Sequence, residues 1–584
     1  MDYVTDLNDD DIQEFRNNLS LILPTDLRFE GNQEREVIEK VKRQYFSDSD
    51  ISINVLERLS LCFTDSTYLN PGIRELLARH WDVKTTQGIV RGYYKSNPPH
   101  FAFLGVPYAR PPTGYDRFKA PKPPVQWDGI FEAIYRLKCP QDNENGIEDC
   151  LVLNFFIPDN LTNMPVLVHF HDGFFQSGYS GIGIRIIVVT VNYRIGAPGF
   201  LCLQSPGIPG NAGLKDQVAA LYWIHRNIMK FNGNPQYITV YGTGSGSVSI
   251  EILLLSGIAN GLFQKAILES GSVLSPSSIT YSPVEIAMKA AKELGYQGDK
   301  NTKSMETFFQ AISVMNFLNI TSIFVPCIEK ITLYSLFNED PMDLIKFKKS
   351  VQIPMLIVYS DPKEIDLIDN NKIFQTIPEN FGHLLPNNLA IDTSVQEKVA
   401  KLTKGFYFGN ILTEEDIIQC YRDYVNDIFM EYPVVKSSAF YAYNNSNPVF
   451  LMKFSQREYE HAFKGNYGKV LKLVFSDKVD NSHDIGDILK NIESLTTYTI
   501  IYSKEICYTL YLIAYFYFSD PTPITTSLIP DVWMPVEPNI IIDEKVKYHK
   551  INYYECGEKK KNKEITTQQD LYYETITTYI ITTK

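Results

Sequence analysis

Between residues 166 and 241 short apolar runs alternate with helical spacing, and that alternation leaves few folds open to the chain. Val166-Leu-Val-His-Phe170, Ile186 to Asn192 and Ile238-Thr-Val-Tyr241 are of strand length and rich in β-branched residues. Val218 to Phe231, between the last two, carries apolar residues at helical period. Such an order builds an α/β architecture, a mostly parallel sheet covered by helices. Met355 to Tyr359 and Val449 to Phe454 read as strands of the far half of the same sheet.

After the run at Ile238 to Tyr241 comes Gly242-Thr243-Gly244-Ser245-Gly246-Ser247, a glycine-rich turn between strand and helix. Two chemistries use such a turn. A dinucleotide site cradles a pyrophosphate there and places an acid at the end of the following strand, where Glu269 stands. That fingerprint is incomplete, because Ser247 occupies the position of the last glycine or alanine, and this turn lies deep in its sheet. The other chemistry is a nucleophile elbow, G-x-S-x-G, in which flanking glycines let the backbone bend and project a serine oxygen.

Composition narrows the partners. With 44% apolar and 21% charged residues the chain is globular, and a net charge of -13 argues against an electrostatic grip on nucleic acid. Eight cysteines show no C-x-x-C or Cys/His cluster, so no metal site and no cofactor are expected. The start, Met1 to Asp11, is acidic rather than basic then apolar, unlike a secretory signal. The most apolar run, Ile506 to Phe518, is shorter than the ~20 residues that span a bilayer. A cytoplasmic or virion-associated protein without a transmembrane segment is the expectation. Residues 1–80 read as a helical N-terminal extension, 81–550 as the α/β domain and 551–584 as a low-complexity C-terminal tail.

Ordered blocks along the α/β region resemble the type-B carboxylesterase and cholinesterase family. They include Phe103-Leu-Gly-Val-Pro-Tyr-Ala-Arg-Pro-Pro112, Arg117-Phe-x-Ala-Pro121 and Glu148-Asp-Cys-Leu-x-Leu-Asn154. Val189-Thr-Val-Asn-Tyr-Arg-Ile-Gly196, Pro209-Gly-Asn-Ala-Gly-Leu-x-Asp-Gln217 and Gly261-Leu-Phe-x-Lys-Ala-Ile-Leu-x-Ser-Gly271 follow. The resemblance implies an α/β-hydrolase fold with its site above the sheet. It also pairs Cys139 with Cys150, leaving the other six cysteines free.

At the positions where the family carries its catalytic groups this chain departs from the pattern. Gly244 stands at the nucleophile, Tyr467 at the histidine, and Lys363 at the acid, with Pro362 or Glu364 as one-residue alternatives. The oxyanion loop reads His171-Asp172-Gly173-Phe174-Phe175, so Gly173, Phe174 and Ser245 stand at the N–H donors. Glycine has no oxygen to attack with, and a phenol is a poor base at neutral pH. Asp172 adds negative charge where an oxyanion would develop. The expectation is therefore a catalytically inactive relative that binds a protein partner or itself, or holds a small ligand in the former pocket. The outer surface of the α/β domain and residues 1–80 are the expected contact regions, with Ile506 to Phe518 a further candidate. The alternative is a divergent carboxylic ester hydrolase with a rebuilt serine site, using Ser245, Ser247 or Ser249 with His461 or His171.

Overall fold

The computed structural model describes residues 79–454 except 97–98, 111, 142–145, 160, 174–185, 333–334, 348–351, 361–380, 386–392 and 410–412, together with 551–553 and 561–563. Residues 1–78 of the expected helical extension and the apolar run at Ile506 to Phe518 lie outside the described residues, and residue 80, expected to end that extension, instead opens a strand.

Eleven strands form one sheet: β1 His80–Lys84, β2 Ile89–Ser96, β3 Pro99–Pro107, β4 Ile130–Glu132, β5 Val152–Pro158, β6 Met164–Phe170, β7 Ile187–Val191, β8 Gly233–Thr243, β9 Lys265–Glu269, β10 Met355–Ser360 and β11 Val449–Phe454. Their spatial order is β1-β2-β3-β5-β7-β6-β8-β9-β10-β11, with β4 beside β2. From β7 to β11 every pairing is parallel, whereas β1 to β7 pair antiparallel along that path. The parallel half needs crossovers, and helix α1 (Ala212–Asn227) supplies the one between β7 and β8. The helix expected at Val218 to Phe231 thus starts six residues earlier and ends in a 3-10 turn, Ile228–Phe231. In the C-terminal region Ile551–Tyr553 pairs antiparallel with Lys561–Lys563.

The central strands are buried on both faces, which is why they read as continuous apolar runs. Val166, Val168 and Phe170 of β6, Ile187 and Val189 of β7 and Val240 of β8 are all inaccessible. Phe155 stacks on Phe231 at 4.5 Å where α1 leaves the sheet.

Polar residues of the ordered motif blocks prove to be clamps between loops. Arg194 binds both carboxylate oxygens of Asp216, at 2.7 Å through Nε and 2.6 Å through Nη2, and donates further to the carbonyls of Arg117 and Lys119. Asn154 accepts from the Gly105 N–H and donates to Thr190. Asn211, in the left-handed region at φ 55°, bonds both backbone groups of Cys327.

Cys139 and Cys150 form a disulfide, as the resemblance implied. The expectation that the remaining six are free is corrected: Cys202 pairs with Cys327, 125 residues away, beside the Asn211 clamp. Cys420 is the free cysteine among the described residues.

Helix α2 (Ser245–Ser256) carries a buried carboxyl, Glu251, which accepts from the Val273 N–H. Burial pushes it up to about 7, against the opposing hydrogen bond from the Val273 N–H. Above the ordinary glutamate value of ~4.3 the unfolded chain releases this proton while the folded chain keeps it. The folded state then binds more protons, so stability falls as pH rises from ~4.3 to about 7 and levels off beyond. Glu251→Gln is expected to flatten that slope in urea titrations across the window; an unchanged slope would show that Glu251 does not titrate there.

Candidate active site

Strand β8 ends at Thr243 and α2 starts at Ser245, so a single residue, Gly244, makes the turn. Its φ of 50° and ψ of -113° are a conformation that L side chains rarely adopt. The Gly244 N–H donates to the Glu269 carbonyl on β9 at 2.8 Å, and its carbonyl accepts from the Val248 N–H. A Cβ on Gly242 would strike Gly246, and one on Gly246 would strike the Phe170 carbonyl. The outer glycines are thus required by the close approach of α2 to the ends of β6 and β8. This is elbow geometry. Glu269, the candidate ribose acid, instead accepts a hydrogen bond from the Tyr241 phenol in the core.

His171, Asp172 and Gly173 follow directly from the end of β6 and bring a carboxylate to the same turn. The Ser245 N–H donates to Asp172 Oδ1 at 2.9 Å, and Ser245 Oγ lies 3.3 Å from the same oxygen. A Cβ built on Gly244 would overlap the Asp172 carboxyl group, so that group fills the space a side chain at 244 would occupy. The N–H expected to serve an oxyanion is therefore already engaged by a carboxylate.

Tyr193 packs against the loop after β6. Its ring stacks on His171 at 4.4 Å, and its hydroxyl donates to the His171 carbonyl at 3.0 Å. Burial first, then the Asp172 charge, pushes the phenol well up, so it keeps its proton. His171 Nδ1 lies 2.9 Å from the Asp172 carbonyl, and burial lowers the imidazole to about 4. At neutral pH the ring is therefore neutral, and Nδ1 donates to that carbonyl.

Among the candidate serines the three hydroxyls differ. Ser247 donates to the Gly271 carbonyl and Ser249 to the Ser245 carbonyl, and both residues are fully buried at 0% exposure. Ser245, at 6%, has its hydroxyl against a carboxylate instead. Lys363, Pro362, Glu364, Tyr467, His461 and Phe174 lie outside the described residues, and Gly173 follows Asp172 in the loop. The sequence reading counted Asp172 only as an unfavourable charge and missed its seat over Gly244. It also gave Tyr193 no role, although that residue lies inside one of the motif blocks. Among the described residues no group of three or more His, Cys, Asp or Glu could hold a metal ion, and no helix is long and apolar enough to cross a membrane.

Residues 79–568 match the carboxylesterase family. A carboxylic ester hydrolase of Bombus ignitus is 29% identical over 415 residues, covering 64% of this chain and 74% of the relative. Carboxylesterase 3 of Homo sapiens is 30% identical over 427 residues, covering 64% and 72%. The crystal structure of juvenile hormone esterase from Manduca sexta, with OTFP covalently attached, superposes with a TM-score of 0.69 at 23% identity, covering 86% of this chain and all of that one. That likeness confirms the α/β-hydrolase fold. These matches overturn the expectation that the chain is not an enzyme: the family and the relatives it matches are ester hydrolases. The inactive reading rested on positions 363, 467 and 174, which lie outside the described residues, and on Gly244 and Asp172, which here bring a carboxylate against another hydroxyl.

Proposed function

The chain belongs to the carboxylesterase family, and on that premise we propose that it is a divergent carboxylic ester hydrolase whose attacking serine is Ser245, one residue past the elbow apex. The observation that carries the reading is the contact of Ser245 Oγ with Asp172 Oδ1 at 3.3 Å. A serine hydroxyl is a weak nucleophile until a neighbouring base accepts its proton, and Ser247 and Ser249 spend theirs on backbone carbonyls. Ser245 also opens α2, where the N-terminal end of the helix dipole favours developing negative charge.

The test uses the purified full chain with p-nitrophenyl butyrate and a fluorophosphonate probe. Hydrolysis above the buffer rate is expected, with the probe mapped by peptide mass spectrometry to Ser245 and both signals lost in Ser245→Ala. A wild-type protein that neither hydrolyses the ester nor takes the label overturns the reading. So does labelling at another serine with Ser245→Ala fully active.

A further inference from the structure

We infer that Asp172 is the proton acceptor for Ser245, so that a carboxylate from the loop after β6 serves as the site's general base; this rests on the ester-hydrolase reading above. The inference comes from where the carboxyl group sits. It fills the space that a side chain at 244 would take, and one of its oxygens meets both the N–H and the hydroxyl of Ser245. Among the hydrogen bonds described for the Ser245 hydroxyl, the carboxylate it meets is that of Asp172. His171 turns Nδ1 to the Asp172 backbone carbonyl, and Tyr193 keeps its phenolic proton and spends it on the His171 carbonyl.

The cycle balances with these groups alone. Ser245 Oγ gives its proton to Asp172 Oδ1 and forms a bond to the ester carbonyl carbon, whose π pair moves onto oxygen. Asp172 is then a neutral acid and a weaker acceptor, which releases the Ser245 N–H to donate to the new oxyanion. The tetrahedral species collapses, the bond to the alkoxy group breaks, and the alkoxide takes the proton from Asp172 and leaves as the alcohol. A water molecule then gives a proton to Asp172 while its oxygen attacks the acyl carbon. Collapse releases the carboxylic acid, and Ser245 Oγ takes back its proton from Asp172. One geometric element thus has two functions, since the same oxygen that receives the proton controls the oxyanion donor.

The experiment compares wild type, Asp172→Asn, Asp172→Glu and Ser245→Ala with p-nitrophenyl butyrate across pH, using circular dichroism to verify folding. Asp172→Asn keeps the shape but cannot accept the proton, so kcat/KM is expected to fall about 100-fold or more, as loss of a general base does. Fluorophosphonate labelling of Ser245 should slow in parallel, and Asp172→Glu should recover part of both. For wild type the rate should be level through neutral pH, without the limb near ~6.5 that an imidazole base at its ordinary value would give; His171, lowered to about 4, would give no such limb either, so the Asp172 variants are what separate the two. Should Asp172→Asn fail to fold, Asp172→Ser, which is smaller and equally lacks a carboxylate, takes its place with the same expected loss. Hydrolysis that survives Asp172→Asn within about threefold, or that shows an imidazole limb, overturns the role of Asp172 and leaves the hydrolase reading standing. A wild-type chain without hydrolysis or labelling overturns both.

Discussion

Gly244→Ser is expected to destabilise the protein by about 2–6 kcal/mol, the sum of a strained backbone and an overfilled space. The backbone term arises because φ 50° with ψ -113° suits glycine and costs a residue with a Cβ about 1–3 kcal/mol. The packing term arises because the new Cβ would overlap the Asp172 carboxyl group, which is held by the Ser245 N–H. The two terms separate in a double-mutant cycle. Asp172→Gly empties the space, so in that background Gly244→Ser should cost only the backbone term, a coupling of about 1–3 kcal/mol between positions 172 and 244. Urea denaturation of the four proteins measures it. Additive costs would mean that the carboxyl group leaves the turn freely and does not occupy the place of a side chain at 244.

This reciprocity marks the limit of what the residue order reveals about the site. The elbow is legible because its requirements are local: Gly242 and Gly246 are imposed by the approach of α2 to two strand ends, and glycine punctuation between a strand and a helix announces such an approach. The occupant of the elbow is not legible. Asp172 and Gly244 are separated by 72 residues and meet because β6 and β8 are hydrogen-bonded neighbours, so one position compensates the other only in three dimensions. Taken singly, glycine at 244 reads as a lost nucleophile and aspartate at 172 as an intruding charge. Together they place a carboxylate against the next hydroxyl along the chain.

The fold was more legible than the site, for a physical reason visible in β6, β7 and β8. Strands buried on both faces must be apolar throughout, so hydrophobic runs located them to within a few residues. The largest error, β8, extends to Gly233 rather than starting at Ile238, because Asn234, Pro235 and Gln236 continue the strand beyond its apolar part. Polar residues in the motif blocks read as family markers, but their work is structural. Arg194 and Asp216 fasten the loop after β7 to the start of α1, and that loop carries Tyr193 against His171.

Removing the Cys202–Cys327 disulfide is expected to have a comparable effect on the same region. The bond closes a loop spanning a sequence separation of 125, and in the chain-entropy account a loop of about that length contributes about 5 kcal/mol by constraining the unfolded chain. It also holds the segment after Tyr193 against Cys327, whose backbone Asn211 already grips on both sides. Cys202→Ser with Cys327→Ser should therefore lower the urea midpoint more than Cys139→Ser with Cys150→Ser, whose loop spans only 11 residues and contributes about 3 kcal/mol. Since Asn211 keeps the loop near its place, ester hydrolysis by the remaining folded fraction should change little. Disulfides persist in oxidising surroundings, so mass spectrometry of unreduced peptides from protein taken directly from its source should recover Cys202 linked to Cys327. Free thiols at both positions would mean that the protein works in a reducing compartment and that the Asn211 clamp alone holds the loop.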